Sequence, residues 1–161
     1  IVDRRSGDAV FEETVDGRYC LHLANAFERT GEVVVDLLEL DRPVYPHYLL
    51  ESLYDGAPMG RPVRWMADLA SGRVRRESHD GLEASLDFPV IPAEAVGEPQ
   101  ETVWYLSMSR SREPGPKLFD RLCRLDWSTG ESRTVAAPEG AFFCGEPPSA
   151  EDGSPVRVSS A

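Results

Sequence analysis

The sequence predicts an all-β fold in which short antiparallel strands form an open arc of about two and a half β-propeller blades. Gly and Pro supply 13 residues each, and most lie between short β-type runs, which favours many short strands over long helices. Ser/Thr-Gly pairs recur between these runs, and Gly there supplies the positive φ that tight strand connections require. Three of the turns, at 27–32, 68–73 and 126–131, follow one pattern, as expected of repeated blades. A length of 161 residues fits a single domain, 1–161.

The runs between the turns predict ten strands. They lie near 9–15, 18–27, 32–40, 62–70, 73–79, 82–88, 102–108, 118–126, 131–136 and 155–159. The run 32–38 is apolar on both faces, which is typical of a strand packed between two layers, and Asp36 inside it is predicted to make a buried structural hydrogen bond. Because a closed propeller needs at least about four blades, ten strands predict an arc with unpaired edges. A complete β-sandwich of similar length is the alternative.

One segment predicts a short helix inserted between strands. Residues 46–54 begin with Pro46 and are followed by Gly56, while Tyr45, Leu49 and Leu53 recur at a spacing of four. The residues leave open whether the apolar face of this helix packs on the sheets or contacts a membrane surface.

Charge and composition exclude several classes of function. Acidic residues outnumber basic ones by 28 to 17, giving a net charge of −11. No basic face is available to neutralise phosphates, so nucleic acid is excluded as a partner and electrostatic docking to anionic lipid is disfavoured. The three cysteines are odd in number and lack metal-type pairing, which predicts reduced thiols in a cytoplasmic protein.

The segment 19–28 is the most informative about chemistry. Strand alternation places Tyr19, Leu21, Leu23 and Phe27 on a bulky apolar face, and His22 on the other face between small neighbours. A histidine with cleared space around it can reach a metal or a ligand. On spacing alone, a buried histidine satisfied by a backbone carbonyl is the favoured interpretation. A zinc site from Cys20, His22 and Cys144 is disfavoured, since no close ligand pair of zinc spacing is present.

Several motifs, taken in order, resemble the carotenoid cleavage oxygenases, a family that includes apocarotenoid and lignostilbene dioxygenases. They are Leu21-His22-x-x-Asn25-Ala26-Phe27-Glu28 with 31–36, Leu86-Asp87-Phe88-Pro89-Val90-Ile91, 120–126 with Thr129-Gly130, Phe143-Cys144-Gly145-Glu146-Pro147, and Glu151-Asp152-Gly153. They extend over nearly the whole chain and are similar to the internal to C-terminal segment of that family.

The resemblance implies a seven-bladed propeller whose axis carries a non-haem Fe(II) held by four histidines. His22 matches one iron ligand, Glu146 matches a carboxylate that hydrogen-bonds to a ligand ring, and Asp87 occupies the place of another such glutamate. Neutral imidazole suits Fe(II), and a carboxylate on the other ring nitrogen fixes the tautomer. Two departures weaken the match. Asp87 is one methylene shorter than Glu, and the segment after Pro147 is shortened.

The implied activity is oxidative cleavage, with O₂, of a conjugated C=C bond in a carotenoid, apocarotenoid or stilbene to carbonyl products. The protein would contribute an apolar tunnel that holds the substrate. One ligand cannot hold iron tightly, so the chain, expected to be a piece of a longer protein, is predicted to be inactive in isolation. The alternative is a non-catalytic β-propeller-like binding or assembly domain without a complete iron site. The residues leave open the exact substrate and the choice between cleavage and isomerisation.

Overall fold

Two four-stranded antiparallel sheets make up the ordered framework of the chain. The structure, a computed structural model, describes residues 1–47, 55–79, 82, 85–109, 114 and 118–143. The first sheet has the order β1-β2-β3-β4 and the second β5-β6-β7-β8. The strands are β1 (Tyr19–Arg29), β2 (Glu32–Leu40), β3 (Arg61–Asp68), β4 (Arg73–Ser78), β5 (Ser85–Val90), β6 (Thr102–Met108), β7 (Arg121–Asp126) and β8 (Ser132–Ala136). Two successive four-stranded meanders are the arrangement of neighbouring propeller blades, so the predicted all-β arc is confirmed.

The repeated turn pattern has a shared structural basis in two of its three instances. Asp68 and Asp126 each end the third strand of a sheet, and each Oδ1 accepts backbone N–H groups two and three residues ahead, at 2.9 to 3.1 Å. Gly72 and Gly130 then take positive φ. An aspartate that bonds the backbone ahead of it is a common turn-forming device. The β1–β2 turn differs, because Thr30 itself adopts a positive φ of 45° before Gly31.

Three predicted elements need correction or lie outside the described residues. The predicted strand at 9–15 is wrong: Ala9 forms an isolated bridge with Val2, Val10 and Phe11 hydrogen-bond to Ile1, and no residue of that stretch belongs to a strand. The helix predicted at 46–54 is described only at its start, where Tyr45–His47 form a single 3₁₀ turn. Residues 48–54 and the predicted strand at 155–159 lie outside the described part of the chain.

The main core lies between the two sheets. Its buried members come from β2, β5, β6 and β7 and from the start of the loop after β5. They are Leu38, Leu86, Ile91, Val103, Tyr105, Cys123 and Leu125. The backbones also approach closely here, because Gly60 donates its N–H to Ser85 Oγ at 3.0 Å and accepts from Leu86 N at 3.2 Å. A Cβ on Gly60 would lie 2.2 Å from Leu86 O, so glycine is required for this contact.

A buried polar row crosses the first sheet and binds the second. Asn25, Asp36 and Arg64 are aligned partners on β1, β2 and β3. Asp36 accepts both Nε and a terminal N–H group of Arg64, at 2.8 and 2.9 Å, which confirms the buried hydrogen bond predicted for it. Arg64 also donates to Gln100 O at 2.9 Å and to Glu101 Oε2 at 2.7 Å. The row therefore fastens the β5–β6 loop of the second sheet onto the first.

Candidate functional site

The strand that carries His22 is irregular where the histidine lies. Pairing of β1 with β2 shifts register between Cys20 and Leu23 and again between Leu23 and Asn25. A bulge breaks the alternation of side chains, and here it leaves Leu23 67% exposed while Asn25 is buried. The predicted apolar face of Tyr19, Leu21, Leu23 and Phe27 is therefore wrong at Leu23.

The structure brings His22 and Asp87 together, although they lie far apart in the sequence. His22 Nε2 is 3.3 Å from Asp87 Oδ1, and the two side chains are 25% and 20% exposed. The imidazole also packs against the ring of Phe88, with 5.3 Å between centroids and 42° between planes. Among the described residues, the His22 ring faces a carboxylate and an aromatic ring, and not the backbone carbonyl that spacing alone favours. Its role as a ligand stays a prediction.

The environment of Asp87 opposes the ionised form of its carboxyl group. Burial raises the pKa of Asp87, while the hydrogen bond from Phe88 N, at 2.8 Å, and the nearby His22 act in the opposite direction. A carboxyl group beside an imidazole is the arrangement that orients ligand histidines in metal sites.

The remaining predicted site residues are not brought to this place by the described part of the chain. Glu146 and Cys144 lie outside the described residues. Cys20 is exposed, and its Sγ contacts His22 O at 3.4 Å. Across the described ranges, no group of three or more His, Cys, Asp and Glu is placed to hold a metal ion. The zinc alternative therefore gains no support there.

The other two histidines are engaged elsewhere. His47 Nδ1 lies 2.9 Å from Asp55 O, and His79 Nε2 lies 2.6 Å from Gly130 O. Each ring therefore contacts a backbone carbonyl, which is the environment that spacing alone predicts for His22.

Asn25 and Phe88 both belong to the motifs quoted from the sequence, but their contacts could not be predicted from it. Asn25 donates Nδ2 to the carbonyls of Ala95 and Glu98, at 3.2 and 3.1 Å, and accepts from Gly97 N at 3.0 Å. It is the only asparagine in the chain, and that was the available signal. Phe88, beside His22, has a positive φ of 48°, and the sequence around it does not indicate this backbone conformation.

The side chains at this place fit one ligand position of a non-haem iron site. An imidazole oriented by a carboxylate is the ligand unit that such sites use, and a narrow apolar crevice lined by Leu21, Leu38, Leu86 and Met108 adjoins Asp87. The unit supplies one ligand.

No helix within the described ranges is long and apolar enough to cross a membrane.

Comparisons with known proteins agree on one family. The family described as "Retinal pigment epithelial membrane protein" (RPE65) has a model that matches residues 1–155. Apocarotenoid-15,15'-oxygenase from Synechocystis sp. (strain ATCC 27184 / PCC 6803 / Kazusa) is 25% identical over 147 residues, which cover 89% of this chain and 29% of that protein.

Solved structures give the same result. The crystal structure of cobalt-substituted Synechocystis ACO has a TM-score of 0.66 and 26% identity, over 83% of this chain and 27% of that one. The crystal structure of an ACO/RPE65 chimera has a TM-score of 0.65 and 25% identity, with the same coverage. The chain thus spans less than a third of the length of the relatives it matches.

Proposed function

The chain belongs to the RPE65 family of carotenoid cleavage oxygenases, and on this premise we propose that it is part of a non-haem Fe(II) dioxygenase. The proposed reaction adds O₂ across a conjugated C=C bond of a carotenoid, apocarotenoid or stilbene and gives two carbonyl products. The observation that carries this proposal is the His22 imidazole held against Asp87 in a chain that matches the family from residue 1 to 155.

In this proposal His22 supplies one ligand nitrogen, and Asp87 lies beside the ring at Nε2 and orients it. A carboxyl group beside the ring of a ligand histidine orients the imidazole towards the metal. The bound iron would supply the site at which O₂ reacts. The apolar side chains beside Asp87 would exclude water from the polyene, and Glu146 remains a proposed carboxylate partner of a ligand ring.

Two measurements test the proposal. The 161-residue chain is expected to show no polyene cleavage, because the described residues supply a single imidazole at the site. A chimera in which this chain replaces the matching segment of the Synechocystis oxygenase is expected to bind iron and to cleave an apocarotenoid. In that chimera His22→Ala should lower iron affinity by more than tenfold. Replacing even a residue that hydrogen-bonds to a metal ligand lowers metal affinity by about 10–100-fold. His47→Ala is the matched control and should retain both properties.

The alternative function is a non-catalytic binding or assembly domain. The shorter carboxylate of Asp87, in place of the glutamate expected there, is the observation that favours it. A folded chimera that keeps its iron after His22→Ala would support this alternative and remove His22 from the proposed site. Robust cleavage by the isolated chain would show that the argument from a missing set of ligands is wrong.

A further inference from the structure

Phe88 has a backbone conformation that bulky residues avoid. Among the described non-glycine residues, only Thr30 and Phe88 have positive φ. Thr30 lies in a tight strand connection, where such a value is expected. Phe88 lies inside β5, with a φ of 48°, and the pairing of β5 with β6 shifts register between Asp87 and Val90. Strain of this kind persists where the surrounding structure enforces it, and it is concentrated at functional sites.

The strained conformation has a specific geometric result. In a regular strand, consecutive side chains point to opposite faces, so two neighbours cannot contact the same group. Here both do. Asp87 Oδ1 lies 3.3 Å from His22 Nε2, and the ring of Phe88 lies 5.3 Å from the same imidazole. The left-handed backbone at Phe88 therefore brings two successive side chains around a single histidine.

Further contacts hold the side chains of Asp87 and Phe88 in this arrangement. Phe88 N donates to Asp87 Oδ1 at 2.8 Å, and this is the oxygen that faces His22. The Phe88 ring meets Phe119 edge to face, at 5.4 Å and 77°. Phe119 is itself buried in a cluster with Leu106, Met108 and Leu122. The carboxylate thus lies beside Nε2 of the imidazole, and the phenyl ring packs against the imidazole at a tilt of 42°.

We propose that Phe88 is a positioning residue, whose left-handed backbone and aromatic ring together set the orientation of the His22 imidazole. This inference rests on the proposed function for its purpose, because a fixed imidazole matters when the ring must present a lone pair to a metal. The restraint itself is a property of this chain and can be measured without a metal.

The test uses the 161-residue chain with isotope-labelled histidine. Ring ¹³C relaxation of His22 reports its mobility, and His47 and His79 serve as internal references. Phe88→Leu, which keeps an apolar side chain without a ring, should make the His22 ring more mobile. Phe88→Tyr should restore the wild-type value. Phe27→Leu removes another buried phenyl group, 3% exposed in the first sheet, and should lower the Tm without changing His22 relaxation.

A second readout uses Co(II) as the probe in the chimera with the Synechocystis oxygenase, because the described residues of the chain supply a single imidazole at the site and one ligand does not hold a metal tightly. Phe88→Leu should lower the Co(II) affinity of the chimera by about tenfold, the lower end of the effect of losing an outer partner of a metal ligand. Unchanged His22 mobility in the chain, or unchanged Co(II) affinity of the chimera, in a folded Phe88→Leu variant would overturn the inference. If His22→Ala leaves Co(II) binding by the chimera unaltered, the proposed function fails, and the relaxation data still decide the role of Phe88.

Discussion

Replacing Asp36 by Asn should destabilise the chain far more than replacing Glu101 by Gln, although both carboxylates bind the guanidinium of Arg64. Asp36 accepts two hydrogen bonds from Arg64, and its side chain is fully buried, whereas that of Glu101 is 38% exposed. Exposure decides the difference in stability, because water screens the pair of Arg64 with Glu101 more than the buried pair of Arg64 with Asp36.

The magnitudes follow from this burial. Removing one member of a buried ion pair costs about 3–5 kcal/mol, because the other charge is left without compensation. Glu101 and the carbonyl of Gln100 still receive hydrogen bonds from Arg64, so we expect the lower end, about 3 kcal/mol, for Asp36→Asn. An exposed pair contributes up to about 1 kcal/mol, which is the limit for Glu101→Gln. A loss of about 3 kcal/mol is a large part of the roughly 5–15 kcal/mol that stabilises a domain.

Urea unfolding followed by both circular dichroism and tryptophan fluorescence measures these differences and tests whether the two sheets unfold together. Replacing both partners, as Asp36→Leu with Arg64→Met, removes the pair without leaving a lone charge. This double variant should be more stable than Asp36→Asn. A free energy of unfolding for Asp36→Asn equal to that of Glu101→Gln would refute the reasoning from burial.

Two further predictions concern a turn and a close contact. Hydrogen bonds from Ser128 and Thr129 lower the pKa of Asp126 below its usual 3.8. The stability that this carboxylate contributes is therefore present above pH 3.8 and is lost as the pH falls through the lower pKa of the folded state. Asp126→Asn should flatten the acid side of a plot of the urea midpoint against pH. An unchanged acid side would contradict this prediction. Gly60→Ala should cost about 1–3 kcal/mol, because the new methyl group meets a backbone oxygen at 2.2 Å. Gly17→Ala, which adds a methyl group in open space, should stay within about 0.5 kcal/mol of the wild type by the same assay, and equal losses for the two would show that the contact at Gly60 is not tight.

Much of the strand framework could be predicted from the sequence, because turn chemistry and hydrophobic runs are local signals. Asp68 and Asp126 mark equivalent hairpins in the two sheets, and the apolar run of β2 is the centre of the first. The prediction at 9–15 failed because a run of suitable composition still needs a partner strand, and Ala9 there makes only an isolated bridge. Composition does not report such pairing.

The candidate site was harder to predict from local sequence patterns than the strands were. Simple alternation placed Leu23 on the packed face, whereas two register shifts in β1 expose it. These bulges contain no glycine that would have marked them. The contact between His22 and Asp87 joins distant segments, so it was expected only through the resemblance of ordered motifs and not from periodicity.

The irregular parts of β1 and β5, the first strand of each sheet, meet at the same place, and regular contacts nearby allow this. The register shifts of β1 flank His22, and that of β5 begins at Asp87. Asn25, three residues after His22, fastens β1 to the β5–β6 loop through three hydrogen bonds. Such a fastening can hold a strained conformation at Phe88 that the strand would otherwise relax. The geometry around His22 should therefore depend on the contacts between the sheets, and loosening those contacts should disturb the imidazole before either sheet unfolds.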